Sequence, residues 1–109
     1  MNERQKAIAK AVIQMAHADG EVHPKEREVL DSILAELGGN QQELQGAERE
    51  PMPPLETLLP EKADRLEAMR LVLQMCMADG RLAFDEFYYL SDLCAKLDIT
   101  KAEMEALLQ

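Results

Sequence analysis

The fold is decided by the stretch AVIQMAHADGEVHPKEREVLDSILAEL at residues 11–37, which the chain repeats at residues 71–97 as LVLQMCMADGRLAFDEFYYLSDLCAKL. Aligned without a gap from 12/72 to 43/103, the two copies have 11 identical residues among 32 pairs. Many of the other pairs keep their apolar character. Duplicated units of this kind usually bury their apolar faces against each other. The sequence therefore predicts a pseudo-symmetric pair of helical hairpins.

The first copy has the spacing of two helices joined by a corner. Ile8, Val12, Met15 and Asp19 recur at helical intervals and would share one face of the first helix. Gly20 would end this helix, because glycine readily adopts the left-handed conformation found after helix ends. The second helix would bury a similar stripe, formed by Val29, Leu30, Ile33, Leu34 and Leu37.

The first helix of the second copy, about 61–78, is apolar around most of its circumference. Only Glu67, Arg70 and Gln74 remain for a narrow polar side. A helix with so little polar surface is expected to lie in the interior. We therefore expect this helix to be the central buried helix of the domain.

The whole chain is expected to form a single domain. Repeat 1 spans about 3–47, a proline-rich connector spans about 48–60, and repeat 2 spans about 61–109. Asn40 and Thr100 each precede a glutamate by three residues, which is the capping-box pattern at the start of a helix. A short third helix is therefore predicted in each copy.

Composition points to the all-α class. The 109 residues suffice for one domain, and 47% of them are apolar, whereas only 4% are aromatic and Trp is absent. Leu, Ile, Val, Ala and seven Met must therefore supply the core, and several of these residues favour helices. We expect a compact all-α bundle of about six or seven helices.

Charge and cysteine usage narrow the expected partners and location. The net charge is −9, and binding to nucleic acid or to an anionic membrane would require a basic face. The sequence has no long apolar run and no N-terminal leader pattern. Cys76 and Cys94 occupy positions that are apolar in the other copy, which is typical of reduced core residues. We expect a cytoplasmic protein that binds neither nucleic acid nor membrane.

An acidic pair lies at each hairpin corner: Asp19 with Glu26, and Asp79 with Glu86. These four corner acids would either cap the helix ends or ligate a hard divalent cation. The spacing D-G-x5-E matches only part of a calcium-binding EF-hand loop, and Met stands where oxygen ligands are needed. Any cation would therefore be weakly held by water and few carboxylates, or shared between the two copies, with His23 able to join its shell. No other cofactor is indicated.

The motif A-D-G-E-V-x-P-x-E-x-x-x-L at residues 18–30, with its echo A-D-G-R-L-x-x-x-E-x-x-x-L at 78–90, resembles the signature of the TerB-like superfamily. That superfamily includes the bacterial tellurite-resistance protein TerB and the N-terminal domain of the DjlA co-chaperone. The resemblance covers nearly the whole chain. It implies an all-helical domain with internal pseudo-twofold symmetry, and a metal-binding acidic cluster that corresponds here to the corner acids. The echo departs from the pattern at Arg81.

The aromatic residues lie together in the second copy. Phe84, Phe87 and Tyr88 would form an aromatic surface, whereas the first copy has Arg27 and Glu28 at two of the matching positions. One interpretation is an interface, either with a second copy of the chain or with another protein. The alternative is that the proline-rich connector folds over this surface.

The sequence contains no recognisable catalytic arrangement or phosphate-binding loop, so we expect a protein that is not an enzyme. His17 follows Lys6, Lys10 and Gln14 on the predicted polar side of the first helix and is expected to be exposed. The leading interpretation is a TerB-like cytoplasmic module for interaction or stress response. The alternative is a divalent-metal-binding protein that uses the corner acids.

Overall fold

The computed structural model describes residues 1–18, 22–78 and 84–108, with side chains in the last range from residue 87 onward. The regular secondary structure of these ranges is helical. The α-helices are, in chain order, α1 (Glu3–Ala16), α2 (Pro24–Glu36), α3 (Leu55–Leu58), α4 (Lys62–Cys76), α5 (Phe84–Leu97) and α6 (Lys101–Leu107). Two 3₁₀ turns, Gln41–Leu44 and Ala47–Arg49, precede α3. The described ranges include no strand, so the predicted all-α bundle of six or seven helices is confirmed.

Helix boundaries recur at the spacing of the sequence repeat. Helices α1 and α4 end at Ala16 and Cys76, and α2 and α5 begin sixty residues apart. Gly38 and Asp98 both have positive φ, at 86° and 55°. The amide that follows each of them donates into the preceding helical turn, at 2.8 Å in the first copy and 2.9 Å in the second. These helix ends follow the spacing of the sequence repeat, while the pseudo-symmetric pairing of the hairpins stays a prediction.

The predicted caps start helices in both copies. The side-chain oxygens of Asn40 and Thr100 accept the amides of Glu43 and Glu103, each at 3.1 Å. Such bonds satisfy amides that have no partner inside the helix. The first copy continues only as a 3₁₀ turn, whereas the second forms the α-helix α6.

The core forms around two crossing helices rather than one. Helix α1 packs against α2, α3 and α4, and all of its residues from Ala7 to Ala16 except Lys10 are buried. From Ala68 to Cys76, helix α4 is buried except at Arg70 and Gln74, which belong to the predicted polar side. The prediction of a single central helix was therefore incomplete, because α1 is buried just as fully.

Gln14 on α1 shows why α1 is so completely covered. Only 6% of this residue is exposed, so its predicted place on the polar side of the helix was wrong. Its Nε2 donates to the carbonyl oxygens of Ala47, Glu50 and Pro51, at 3.1 Å in each case. The start of the connector therefore covers the face of α1 that local periodicity assigns to solvent.

Arg65 on α4 holds the other end of the connector. Its Nε and Nη2 donate to the carbonyl oxygens of Leu59 and Glu56 at 2.6 and 2.9 Å. Its Nη1 donates to the carbonyl oxygen of Leu97, at the end of α5, at 3.2 Å. Because Leu55 and Leu59 are buried beside it, the connector is an integral part of the domain.

Candidate interaction surface

Large apolar side chains are exposed in one region of the described structure. Met77, Phe87, Tyr88 and Leu108 are 45%, 50%, 63% and 54% exposed. All four belong to the second copy, on α5 or next to the ends of α4 and α6. Exposed apolar groups that gather in this way usually mark a binding surface.

Met77, Phe87 and Leu108 line a groove of about 670 Å³ between α4, α5 and α6, and the Tyr88 ring lies against that of Phe87. We call it the apolar groove; its apolar lining includes Leu73, Met77, Phe87, Leu90, Ile99, Met104 and Leu108. Lys101 and Glu105 also line it, one helical turn apart on α6. The Thr100 cap positions this helix, because it starts α6 directly after the turn that ends α5.

Sulfur atoms form part of the groove. Cys94 Sγ lies 3.6 Å from Met104 Sδ, and Cys76 also lines the groove. Burial raises the pKa of the Cys94 thiol, which therefore stays protonated near neutral pH. Both cysteines are buried, as predicted for packing residues. The lining of the groove can adapt to its neighbours, because methionine thioethers are flexible and fit differently shaped surfaces.

Phe87 and Tyr88 form an exposed edge-to-face pair. Their ring centroids lie 6.1 Å apart with an interplanar angle of 70°. The connector does not cover them, so the alternative that it folds over the aromatic surface was wrong for these two residues. The side chain of Phe84 lies outside the described residues. The hydroxyl of Tyr89 donates to Gln14 Oε1 on α1, and burial raises the pKa of Tyr89 above the ordinary tyrosine value.

The first copy has a smaller groove, of about 350 Å³, at equivalent positions. His17 stands where the second copy has Met77, and Glu48 stands where it has Leu108. His17 is half-buried there rather than exposed as predicted. Two grooves thus lie at equivalent positions of the sequence repeat, and among their described lining residues the second groove is mainly apolar whereas the first is mainly polar. Extending the sequence comparison from 43/103 to 48/108 would have revealed this difference.

The described part of the hairpin corners supports the capping interpretation for Glu26. This residue is 2% exposed, and its Oε1 accepts the backbone amide of His23 at 3.2 Å. The His23 imidazole lies 3.9 Å from the same oxygen. Asp19, Asp79 and the side chain of Glu86 lie outside the described residues, as does Gly20, and helix α1 ends earlier than predicted, at Ala16.

No metal centre is recognisable within the described ranges. No group of three or more His, Cys, Asp or Glu side chains is arranged there to hold an ion. The residues 19–21 and 79–83, which include two of the corner acids, are not part of those ranges. Metal binding by the corner acids therefore stays a prediction.

Comparisons with protein-family models, with curated proteins and with solved structures give no match to this chain. The resemblance to the TerB-like superfamily consequently stays a prediction from the motif at 18–30 and its echo at 78–90. Among the helices described, none has the length and apolar character that crossing a bilayer requires.

Proposed function

We propose that the chain is a non-enzymatic, TerB-like cytoplasmic module of the interaction or stress-response kind. It binds a protein partner through the apolar groove and the adjoining pair Phe87 and Tyr88. The observation that carries this proposal is the contrast between the two grooves. Because the first copy folds with His17 and Glu48 at equivalent positions, the fold itself does not require apolar residues there.

The two exposed rings offer enough surface to anchor a partner. A fully buried aromatic side chain covers 150–250 Å² of surface, so these half-exposed rings each offer about 100 Å². Covering that area contributes about 2.5 kcal/mol per ring at 25 cal/mol per Å², before the entropic costs of association are subtracted. Interface cores are enriched in aromatic residues and Met, and both types border this groove.

The titratable groups that line the groove are typical of a binding surface and lack the arrangement of a catalytic site. Among the described residues that line it, these groups are Cys76, Cys94, Lys101 and Glu105. The two thiols are buried, and both charged residues are exposed. A general acid or base normally lies within a partly enclosed site with a matched pKa. The lining instead supplies shape and apolar area, as a binding surface does.

Site-specific photo-crosslinking in cells tests the proposal. A photoreactive amino acid at position 88 should give a discrete protein adduct, and Phe87→Arg in the same chain should abolish it. Position 28 is the matched control, since Glu28 is exposed and equivalent to Tyr88 in the repeat. Equal adducts at both positions, or none at position 88, would overturn the proposed function.

A further inference from the structure

We infer that the partner that fits the apolar groove is a second copy of this chain, bound about a twofold axis. This inference rests on the proposed function and names its partner. A twofold interface places the same patch of each subunit against itself, so the patch must be complementary to its own charge pattern. The rim of the groove has such a pattern.

Lys101 and Glu105 supply the complementary charges. They lie one turn apart on α6 and both line the groove. Two other lysines of the second copy are paired: Lys62 Nζ lies 3.0 Å from Glu103 and Lys96 Nζ lies 3.6 Å from Glu56. Neither Lys101 nor Glu105 has an ion-pair partner within the described ranges.

Antiparallel packing of α6 on α6 of the second copy would bring these charges together. Lys101 of each copy would then face Glu105 of the other, which makes two ion pairs across the axis. Met104 would then lie between the two ion pairs, and Leu108, three residues beyond Glu105, would lie just outside them. Matched charges would thus flank the apolar contact at the axis, as charged groups do in the rim of a specific interface.

The net negative charge of the chain favours self-association through the apolar groove over self-association through more acidic surfaces. Two copies of a chain with net charge −9 repel each other, so they associate best where the acids are balanced. The described lining of the groove carries one lysine and one glutamate, which cancel. A strongly basic peptide would instead call for surplus acidic residues on the rim.

The exposed apolar area also suits an interface between two copies. Met77, Phe87, Tyr88 and Leu108 together offer roughly 400 Å² of exposed side-chain surface, at about 100 Å² for each half-exposed residue. A standard interface buries about 800 Å² per partner, a little more than half of it apolar. These four side chains thus supply most of the apolar area that a dimer of ordinary size needs.

Sedimentation equilibrium over a wide range of protein concentrations tests the inference. The average mass of the wild-type chain should rise from 12.3 kDa towards twice that value. Phe87→Arg should weaken association at least tenfold. Gln74→Arg is the matched control, because it adds the same charge at an exposed position of α4 outside the groove. It should leave association unchanged.

Reversing the charges of Lys101 and Glu105 tests the proposed antiparallel packing of α6 on α6 of the second copy. Lys101→Glu alone and Glu105→Lys alone should each weaken self-association roughly tenfold, because like charges then face each other. A mixture of the two variants should associate again, and so should the double variant Lys101→Glu/Glu105→Lys. Circular dichroism establishes that every variant keeps its helices. Self-association that is indifferent to both single reversals would overturn the inference.

Failure of this inference can be told apart from failure of the proposed function. A wild-type chain that stays at 12.3 kDa at every concentration, while position 88 crosslinks to a different protein, overturns only the second copy as partner. A chain that is monomeric throughout and forms no adduct at position 88 overturns both.

Discussion

The hydroxyl of Tyr89 on α5 donates to Oε1 of Gln14 on α1 at 2.6 Å. The amide nitrogen of the same glutamine donates to the carbonyl oxygens of Ala47, Glu50 and Pro51, where repeat 1 passes into the connector. One buried side chain therefore joins a helix of each copy to the segment between them, and its oxygen and its nitrogen are both engaged.

Gln14→Ala should lower the free energy of unfolding by about 2–3 kcal/mol, because buried carbonyl oxygens lose their donor and the Tyr89 hydroxyl loses its acceptor. Urea denaturation followed by circular dichroism measures the change. Gln74→Ala is the matched control, since this residue is the repeat equivalent of Gln14 but is exposed. Its effect should stay within about 0.5 kcal/mol. Equal losses in the two variants would contradict the assigned role of Gln14.

Tyr89 should ionise only at a pH above that of an ordinary tyrosine, because burial raises its pKa in the folded chain. This stabilising contribution is complete below the unfolded pKa of about 10 and is lost as the pH rises from there through the folded pKa. In Tyr88→Phe, Tyr89 is the sole tyrosine, since the chain has 2, so absorbance of tyrosinate reports on it alone.

We expect the tyrosinate signal of that variant to appear together with loss of the helical dichroism. The control Tyr88→Phe/Tyr89→Phe should lose less stability between neutral and alkaline pH than Tyr88→Phe. Tyrosinate that forms at the ordinary pH while the helices remain intact would show that the Tyr89 hydroxyl is accessible to water.

Gln14 and Gln74 also show what the sequence could and could not predict. Periodicity and capping patterns predicted the apolar faces of α1 and α4, as well as the caps at Asn40 and Thr100. The two glutamines occupy equivalent positions, yet only Gln14 is buried. The difference comes from the connector, which packs across α1 through contacts more than thirty residues apart in the chain. Local patterns do not encode such contacts.

Only part of the candidate site could be predicted from the sequence, because the rest depends on contacts between segments that are distant in the chain. Phe87 and Tyr88 were identifiable because their repeat equivalents are charged. The apolar groove was missed, since its lining comes from α4, α5 and α6 and its rim reaches Leu108, beyond the aligned repeat. Three-dimensional packing brings these short segments together, whereas each of them is unremarkable in sequence.

Arg65→Met should destabilise the domain by about 2–3 kcal/mol, because three carbonyl oxygens lose a charged donor and the connector loses its second attachment. Arg65→Lys should rescue little, since a single ammonium group cannot reproduce the guanidinium fork. Arg70→Met is the control: this partly exposed arginine pairs with the exposed Glu67, and its loss should cost at most about 1 kcal/mol. Thermal unfolding of the three variants compares them. A larger effect at Arg70 than at Arg65 would contradict this account.

Replacing Asp98 by Gly and Gly38 by Asp should change the free energy of unfolding in opposite directions. Both follow a helix at positive φ, a conformation that costs an L-residue about 1 kcal/mol and glycine much less. Asp98→Gly should therefore stabilise the domain by about 0.5–1 kcal/mol, and Gly38→Asp should destabilise it by a similar amount. Urea denaturation measures both variants. Changes of the same sign would show that factors other than backbone conformation dominate at these helix ends.

Glu26 allows the two interpretations of the hairpin corner to be separated. Its carboxylate accepts the His23 amide, so Glu26→Ala should lower the free energy of unfolding by about 1 kcal/mol, as loss of a helix cap does. Glu28→Ala, at an exposed position of the same helix, is the control and should be nearly neutral.

Glu26→Gln retains an acceptor oxygen but removes the charge that a cation needs. If capping is the whole role, calcium, magnesium, manganese and zinc should leave the melting temperatures of wild type and Glu26→Gln unchanged. A bound ion would instead raise the wild-type melting temperature with its concentration. If Glu26→Gln and Asp19→Asn/Asp79→Asn abolished such a rise, the corner acids would be cation ligands and capping alone would be the wrong interpretation.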